Sequence, residues 1–180
     1  MSTVPNSSSE FQYQALESPG SLRVHLLNPS SASLANLHCK LLSTTISDCD
    51  QDLFEHYVAL SYVWGSTDNL QTIILEGCQF QITKNLHNAL HDIRDPFRVI
   101  RLWVDAICIN QQDGNERNQQ VALMGQIYSI ARHTIIYLGQ SSPAIDVAFE
   151  EAAELENWAR FGAPPTPKKI ELTKPLSHHT

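Results

Sequence analysis

The chain has 180 residues, enough for one domain with tails and too few for two full domains. Its 12 basic and 19 acidic side chains leave a net charge of −7, which argues against nucleic acid or an anionic membrane surface as a bulk partner, since both require a basic footprint. The hydrophobic fraction of 42% and charged fraction of 17% are those of a globular domain that needs no disulfide or metal staples at this size.

The polar opening from Met1 lacks the basic start and apolar core of a signal peptide, and no apolar stretch approaches the roughly 20 residues of a membrane span. Cys39, Cys49, Cys78 and Cys108 include no Cys-x-x-Cys pair, and Cys39 and Cys108 sit inside apolar runs. All four read as reduced thiols of a cytoplasmic protein.

Residues 1–20 are rich in Ser, Pro and Asn without periodicity, and read as a disordered lead-in. Leu22–Leu27 and Leu37–Ile46 are apolar segments separated by the turn-rich Asn28-Pro29-Ser30-Ser31, which predicts two strands. Tyr57–Trp64 is a β-branched and aromatic run ended by Gly65-Ser66, the pattern of a strand buried on both faces. Thr72–Leu75 and Gln79–Ile82 flank Glu76-Gly77-Cys78, a short hairpin.

Thr83 then reads as an N-cap, with Leu86, Ala89, Leu90 and Ile93 at helical spacing until Asp95-Pro96 stops the helix. Val99–Ile109 predicts a second buried strand, residues 114–131 a second helix, and Thr134–Leu138 a third strand closed by Gly139. Ser142-Pro143 opens a further helix to about Trp158, after which the proline-rich end from residue 161 reads as a disordered tail. Residues 21–160 thus form the expected domain. Apolar strands alternating with amphipathic helices imply an α/β fold: an open, mostly parallel sheet with flanking helices, plus a hairpin and N-terminal strands as antiparallel additions.

In such sheets ligands bind where strand ends lead into helix N-termini. The stretch from Leu102 to Arg117 is one such crossing, crowded with polar groups that include Asn110. Met124, Ile127, Tyr128 and Ala131 form a stripe on the following helix, and steps of three and four toward its start reach Gln120, Arg117 and Asp113. Either that end overhangs the sheet into water, or Arg117 and Gln120 line a polar crevice. Asp113 with Glu116 three residues on is a capping-box pattern, so Glu116 either caps the helix or serves a ligand.

Asp105 stands in the apolar Trp103–Ile109 run, where a bare carboxylate is costly. It is either a structural carboxylate bonded to backbone N–H groups or an arginine, with Arg117 a plausible partner and Arg101 a weaker one, or a general acid/base with a shifted pKa. Ser61, Trp64 and Gly65 end the earlier strand and border the same crevice. Gly65-Ser66 is too short for a phosphate loop, and no dinucleotide glycine pattern occurs. His87 and His91 stand one helical turn apart without a third ligand, and read as a solvated helix flank.

Three linked motifs resemble the fungal heterokaryon incompatibility (HET) domain over residues 57–139. They are Tyr57-Val58-Ala59-Leu60-Ser61-Tyr62-Val63-Trp64-Gly65, then Ile82-Thr83-Lys84-Asn85-Leu86 with Ala89-Leu90, then Leu102 to Gln111 with Asp113, Glu116, Arg117, Gln120, Met124 and Tyr128. The Tyr137-Leu138-Gly139 strand end resembles the family as well. The resemblance implies an effector or signalling module of fungal non-self recognition that triggers programmed cell death, working in the cytoplasm through protein partners and self-association.

The family is also considered distantly similar to TIR domains, some of which cleave NAD at its nicotinamide glycosidic bond with a glutamate. That analogy implies a TIR- or flavodoxin-like arrangement and NAD as substrate, with Glu116 catalytic and Asp105, Arg117 and Gln120 shaping the pocket. Past Gly139 the chain departs from the family pattern, offering only Glu156-Asn157-Trp158-Ala159-Arg160-Phe161 before its proline-rich end. That departure gives a further expectation, an inactive, truncated member.

Overall fold

The computed structural model describes residues 11–32, 35–51 and 56–140, together with Pro143, Val147, Glu150, Glu151 and Ala153. The chain divides into two compact units, Met1–Gly139 and Gln140–Thr180. In the first, the elements run β1 (Ser21–Leu27), β2 (His38–Thr45), α1 (Ile46–Gln51), β3 (Val58–Tyr62), β4 (Leu70–Leu75) and β5 (Cys78–Thr83). They continue with α2 (Lys84–Ile93), β6 (Ile100–Trp103), α3 (Asp105–Cys108), α4 (Gly114–Ile130) and β7 (Thr134–Tyr137).

The strands form one sheet in the order β5-β4-β2-β1-β6-β3-β7. Parallel pairing joins β6, β3 and β7, the block predicted by the strand–helix alternation after Tyr57. β4 and β5 pair antiparallel across a two-residue loop, where Glu76 and Gly77 both have positive φ (51° and 81°), the backbone that matches a hairpin's twist. β1 pairs antiparallel with both β2 and β6, while β2 runs parallel to β4. The sheet is therefore mixed. The N-terminal strands join it antiparallel to each other, with β1 at the centre: hydrogen-bonded on both edges, it is buried along almost its whole length.

Two apolar layers hold the helices to the sheet. Leu86, Ala89 and Leu90 of α2 pack with Leu27, Leu60, Leu75 and Leu102. Ile127 of α4 and Cys49 of α1 pack with Leu22, Val24, Tyr57 and Trp103. Adjacent residues Leu102 and Trp103 enter different layers because strand side chains alternate. Thr83 caps α2, its hydroxyl accepting from the Leu86 N–H at 3.4 Å.

Two expected strands are shorter than their apolar runs. Tyr57–Trp64 yields only Val58–Tyr62, and Val63 and Trp64 emerge 70% and 42% exposed, not buried on both faces. Val99–Ile109 yields only Ile100–Trp103, because the chain turns at Val104 into the one-turn α3. The Val104 carbonyl accepts from the Ile107 and Cys108 N–H groups, and the Asp105 carboxylate accepts from the Ala106 N–H at 2.8 Å. A buried helical turn and a buried strand are equally apolar, so the composition of the run does not separate them.

The lead-in is engaged from Phe11 onward. Phe11 and Tyr13 stack edge-on against each other and Phe80, and the Tyr13 hydroxyl donates to the Ile107 carbonyl at 2.9 Å. In the second unit Pro143, Val147, Glu150, Glu151 and Ala153 are helical, within the helix expected from Ser142 to Trp158. The rest of that helix, residues 1–10, Glu156–Phe161 and the proline-rich end lie outside the described residues. No helix among the described residues is long and apolar enough to cross a membrane.

Candidate functional site

Parallel β3 and β6 end on the same side of the sheet, and the loops that leave them meet. After β3 the chain turns at Gly65, whose φ of 75° suits glycine. A Cβ there would stand 2.8 Å from the Asn85 Nδ2 atom. That same amide donates to the Val63 carbonyl at 3.1 Å, so the first turn of α2 holds the loop in place.

Trp64 beside it donates from its indole N–H to the Asp105 Oδ2 at 3.0 Å. Burial raises the Asp105 pKa above the usual carboxylate range, against the opposing pull of the bonds from Trp64 and the Ala106 N–H. The buried Tyr62 hydroxyl faces the Asp105 carboxylate, and burial together with that charge pushes the phenol well up. Asp105 is thus engaged, as its apolar setting demands, but by Trp64 and backbone, not by Arg117.

These loops frame a cavity of about 350 Å³, within the range of small-molecule sites. Trp64, Thr67, Ala106 and Asn110 line one part of it, and Phe11, Tyr13 and Phe80 another. Of the expected ligand-binding residues, Trp64 and Asn110 are in its wall. Gly65 shapes the adjoining turn, and Ser61, the penultimate residue of β3, lies half-buried opposite Ile136 of β7 and does not line the cavity.

The first turn of α4 is arranged differently from its expected stripe. Asp113 is the N-cap, its carboxylate accepting from the Asn115 and Glu116 N–H groups. Glu116 does not close a capping box. Its carboxylate accepts from the Asn110 N–H at 2.7 Å and meets the Arg23 guanidinium twice, at 2.6 and 3.0 Å. Burial would raise the Glu116 pKa, but Arg23 and the Asn110 N–H together hold it below the usual range.

Arg23 also donates to the Cys108 carbonyl at 3.1 Å and to the Gln14 carbonyl, and its guanidinium carbon lies 4.9 Å from the Tyr13 ring centroid. Gln120 is buried and donates to the Ser21 carbonyl at 2.8 Å, facing a separate depression beside Leu16 and Ser18. Arg117 is exposed and lines neither. The inward face of α4 is Glu116, Gln120 and Ile127. Arg117 lies roughly 80° round the helix from Ile127 at about 100° per residue.

Sequence reasoning missed Arg23 and the aromatic lead-in. The available signal was a charged residue in the run Leu22–Leu27, apolar but for Arg23 and His25, a buried arginine that needs a partner. His87 and His91 lie ring to ring at 4.6 Å, and the described residues include no cluster of metal-ligating side chains. The four cysteines form no disulfide with one another, and burial raises the Cys108 thiol to about 12, which removes it from nucleophilic chemistry at neutral pH.

The family model described as "Heterokaryon incompatibility protein (HET)" matches residues 57–174, which contain Gly65, Asn85, Trp64, Asp105 and Glu116. The chain is 34% identical over 146 residues to "Heterokaryon incompatibility protein 6, OR allele" of Neurospora crassa. That alignment covers 73% of this chain and 20% of the relative, so the chain spans about one fifth of that protein's length. No solved structure matches. β1, with Arg23 and the centre of the sheet, precedes the matched residues. On the family match and this relative, the chain belongs to the heterokaryon incompatibility family.

Proposed function

We propose that this chain is an effector or signalling module of fungal non-self recognition, acting in the cytoplasm to bring about programmed cell death when incompatible cells fuse. The family match over residues 57–174 carries this reading. Action through protein partners and self-association is supported by the side of the sheet around β3 and β7, where Val63, Ile136 and Leu138 are 70%, 68% and 65% exposed. Induced expression in a filamentous fungus tests it. Growth arrest and vital-dye uptake in hyphae that accumulate the chain are expected, and healthy growth at the same protein level contradicts the reading.

A second reading, NAD glycohydrolysis, draws support from the cavity at the strand ends. Hydrolysis adds water to the ribose carbon while nicotinamide leaves with the bonding electron pair, and a nearby carboxylate stabilises the positive charge that develops. Glu116, held by Arg23, would have to leave its ion pair to serve there. Asp105 already backs the Trp64 wall, and its raised pKa suits proton transfer. Loss of NAD in the presence of purified chain, abolished by Asp105→Asn, is the expected result. Unchanged NAD over folded, concentrated protein removes this reading and leaves the first.

A further inference from the structure

The strand-end cavity has a definite chemical character. Four aromatic residues line it, Phe11, Tyr13, Trp64 and Phe80. Gln79, Gln81, Asn110, Gln111 and Gln112 complete the lining, the Gln81 amide donating to the Thr72 hydroxyl. None of the described residues lining it carries a charge at neutral pH. Trp64 is 42% exposed, yet its indole N–H is tied to Asp105, a residue outside the wall, so the ring is held in one orientation with part of its surface open.

Gln111 is likewise anchored through Nε2 to the Asp105 carbonyl at 2.9 Å, which leaves its oxygen as an acceptor. Fixed aromatic surfaces favour a flat partner, and amides offer donors and acceptors without charge. An anion would find no cation in this wall, on a protein of net charge −7.

We propose that this cavity binds an uncharged planar ring bearing both hydrogen-bond donors and acceptors, of the size of a nucleobase or an aromatic carboxamide. Its volume of about 350 Å³ suits one ring or a fused pair. The N-terminal strap supplies one wall, because Phe11 and Tyr13 both reach the cavity from it. Besides the stacking of Phe11 and Tyr13 on Phe80, the strap is held by the Tyr13 hydroxyl on the Ile107 carbonyl, the Tyr13 ring on the Arg23 guanidinium, and Arg23 on the Gln14 carbonyl. Glu116, by orienting Arg23, is a positioning residue for that wall. The inference gives the strand-end site a ligand class whether or not the bound molecule is cleaved, so absence of NAD turnover leaves it intact.

The test is a titration of the isotope-labelled full chain followed by NMR at the Trp64 indole N–H and the backbone amides of Asn110, Gln111 and Gln112. The probes are benzamide and benzoate, the same ring without and with a charge. Benzamide is expected to shift these signals saturably with a Kd on the order of millimolar, and benzoate to bind at least about tenfold more weakly. Trp64→Phe, which keeps a ring, should retain binding at the backbone signals, and Trp64→Ala should lose it. Phe11→Ala should weaken benzamide at least about fivefold in a chain whose melting curve stays cooperative. No saturable shift with benzamide, equal binding of benzoate, or benzamide affinity unchanged in both Trp64→Ala and Phe11→Ala overturns the proposal.

Discussion

Arg23 of the central strand and Glu116 of the first turn of α4, 93 positions apart in sequence, meet in a two-pronged ion pair whose contacts measure 2.6 and 3.0 Å. Both side chains are nearly sealed from water, at 2% and 10% exposure. The pair fastens α4, the α3 carbonyl of Cys108 and the N-terminal strap to the sheet at one point.

Removing one partner strands the other. Arg23→Ala and Glu116→Ala should each cost about 3 kcal/mol or more, whereas the double replacement should cost less than the sum of the two. Chemical denaturation of the four proteins checks this. Glu116 has a depressed pKa in the folded state, so its contribution is complete above the unfolded carboxyl pKa near 4.3 and is lost as pH falls through the lower folded value. The difference between Glu116→Gln and the parent should therefore shrink in acid.

His25 lies in the same strand, fully buried, with neither ring nitrogen hydrogen-bonded. Burial lowers its pKa to about 4. The unfolded chain takes up this proton first, so stability is greatest above pH about 6.5 and falls as pH drops toward 4, by about 3 kcal/mol in total. His25→Leu should flatten that part of the pH profile and leave stability at pH 7 equal or higher, since a polar group without a partner is replaced by an apolar one. Melting temperatures at pH 7 and 5 decide it, and an unaltered pH profile in the variant would refute the assignment.

Gly65 is constrained twice, by its φ of 75° and by the Asn85 amide 2.8 Å from where a Cβ would stand. Gly65→Ala should lose about 1–2 kcal/mol from the left-handed backbone alone, with more from the displaced amide. Combining it with Asn85→Ala should recover the steric part only. Urea midpoints of the single and double variants measure the two contributions separately.

Asp105→Ala should free the Trp64 indole and remove the cap on the Ala106 N–H, at a cost of about 1–2 kcal/mol. Faster motion of Trp64, read from relaxation of its indole N–H signal, should accompany the loss. A variant with unchanged stability and an unchanged Trp64 signal would show that Asp105 does not hold the ring.

How far the fold could be read from sequence depended on whether polarity and period agreed. Leu86, Ala89 and Leu90 recur at helical spacing between polar neighbours, so α2 and its buried face were legible, as were the hairpin around Gly77 and the parallel block from β3. In α4 the inward face carries Glu116 and Gln120, while Val121 is 54% exposed, so apolar spacing reached Gln120 but pointed to Arg117 in place of Glu116. The ion partner of Glu116 was illegible because no local pattern links a strand residue to a helix 93 positions away. Trp64, Asn110 and Asp105 were found at the strand ends because the α/β alternation fixes where loops converge. The aromatic strap was hidden in a stretch whose Ser, Pro and Asn content reads as unstructured.

A cell-death module working through the Trp64–Asp105 corner is tested most directly by the fraction of dye-positive hyphal compartments after induction, at matched levels of folded protein. The wild-type chain should kill, Trp64→Ala and Asp105→Ala should lose most of that effect, and the surface substitution Lys40→Ala should keep it. Hyphae that stay viable with the wild-type chain, or that die equally with all four proteins, would contradict the account.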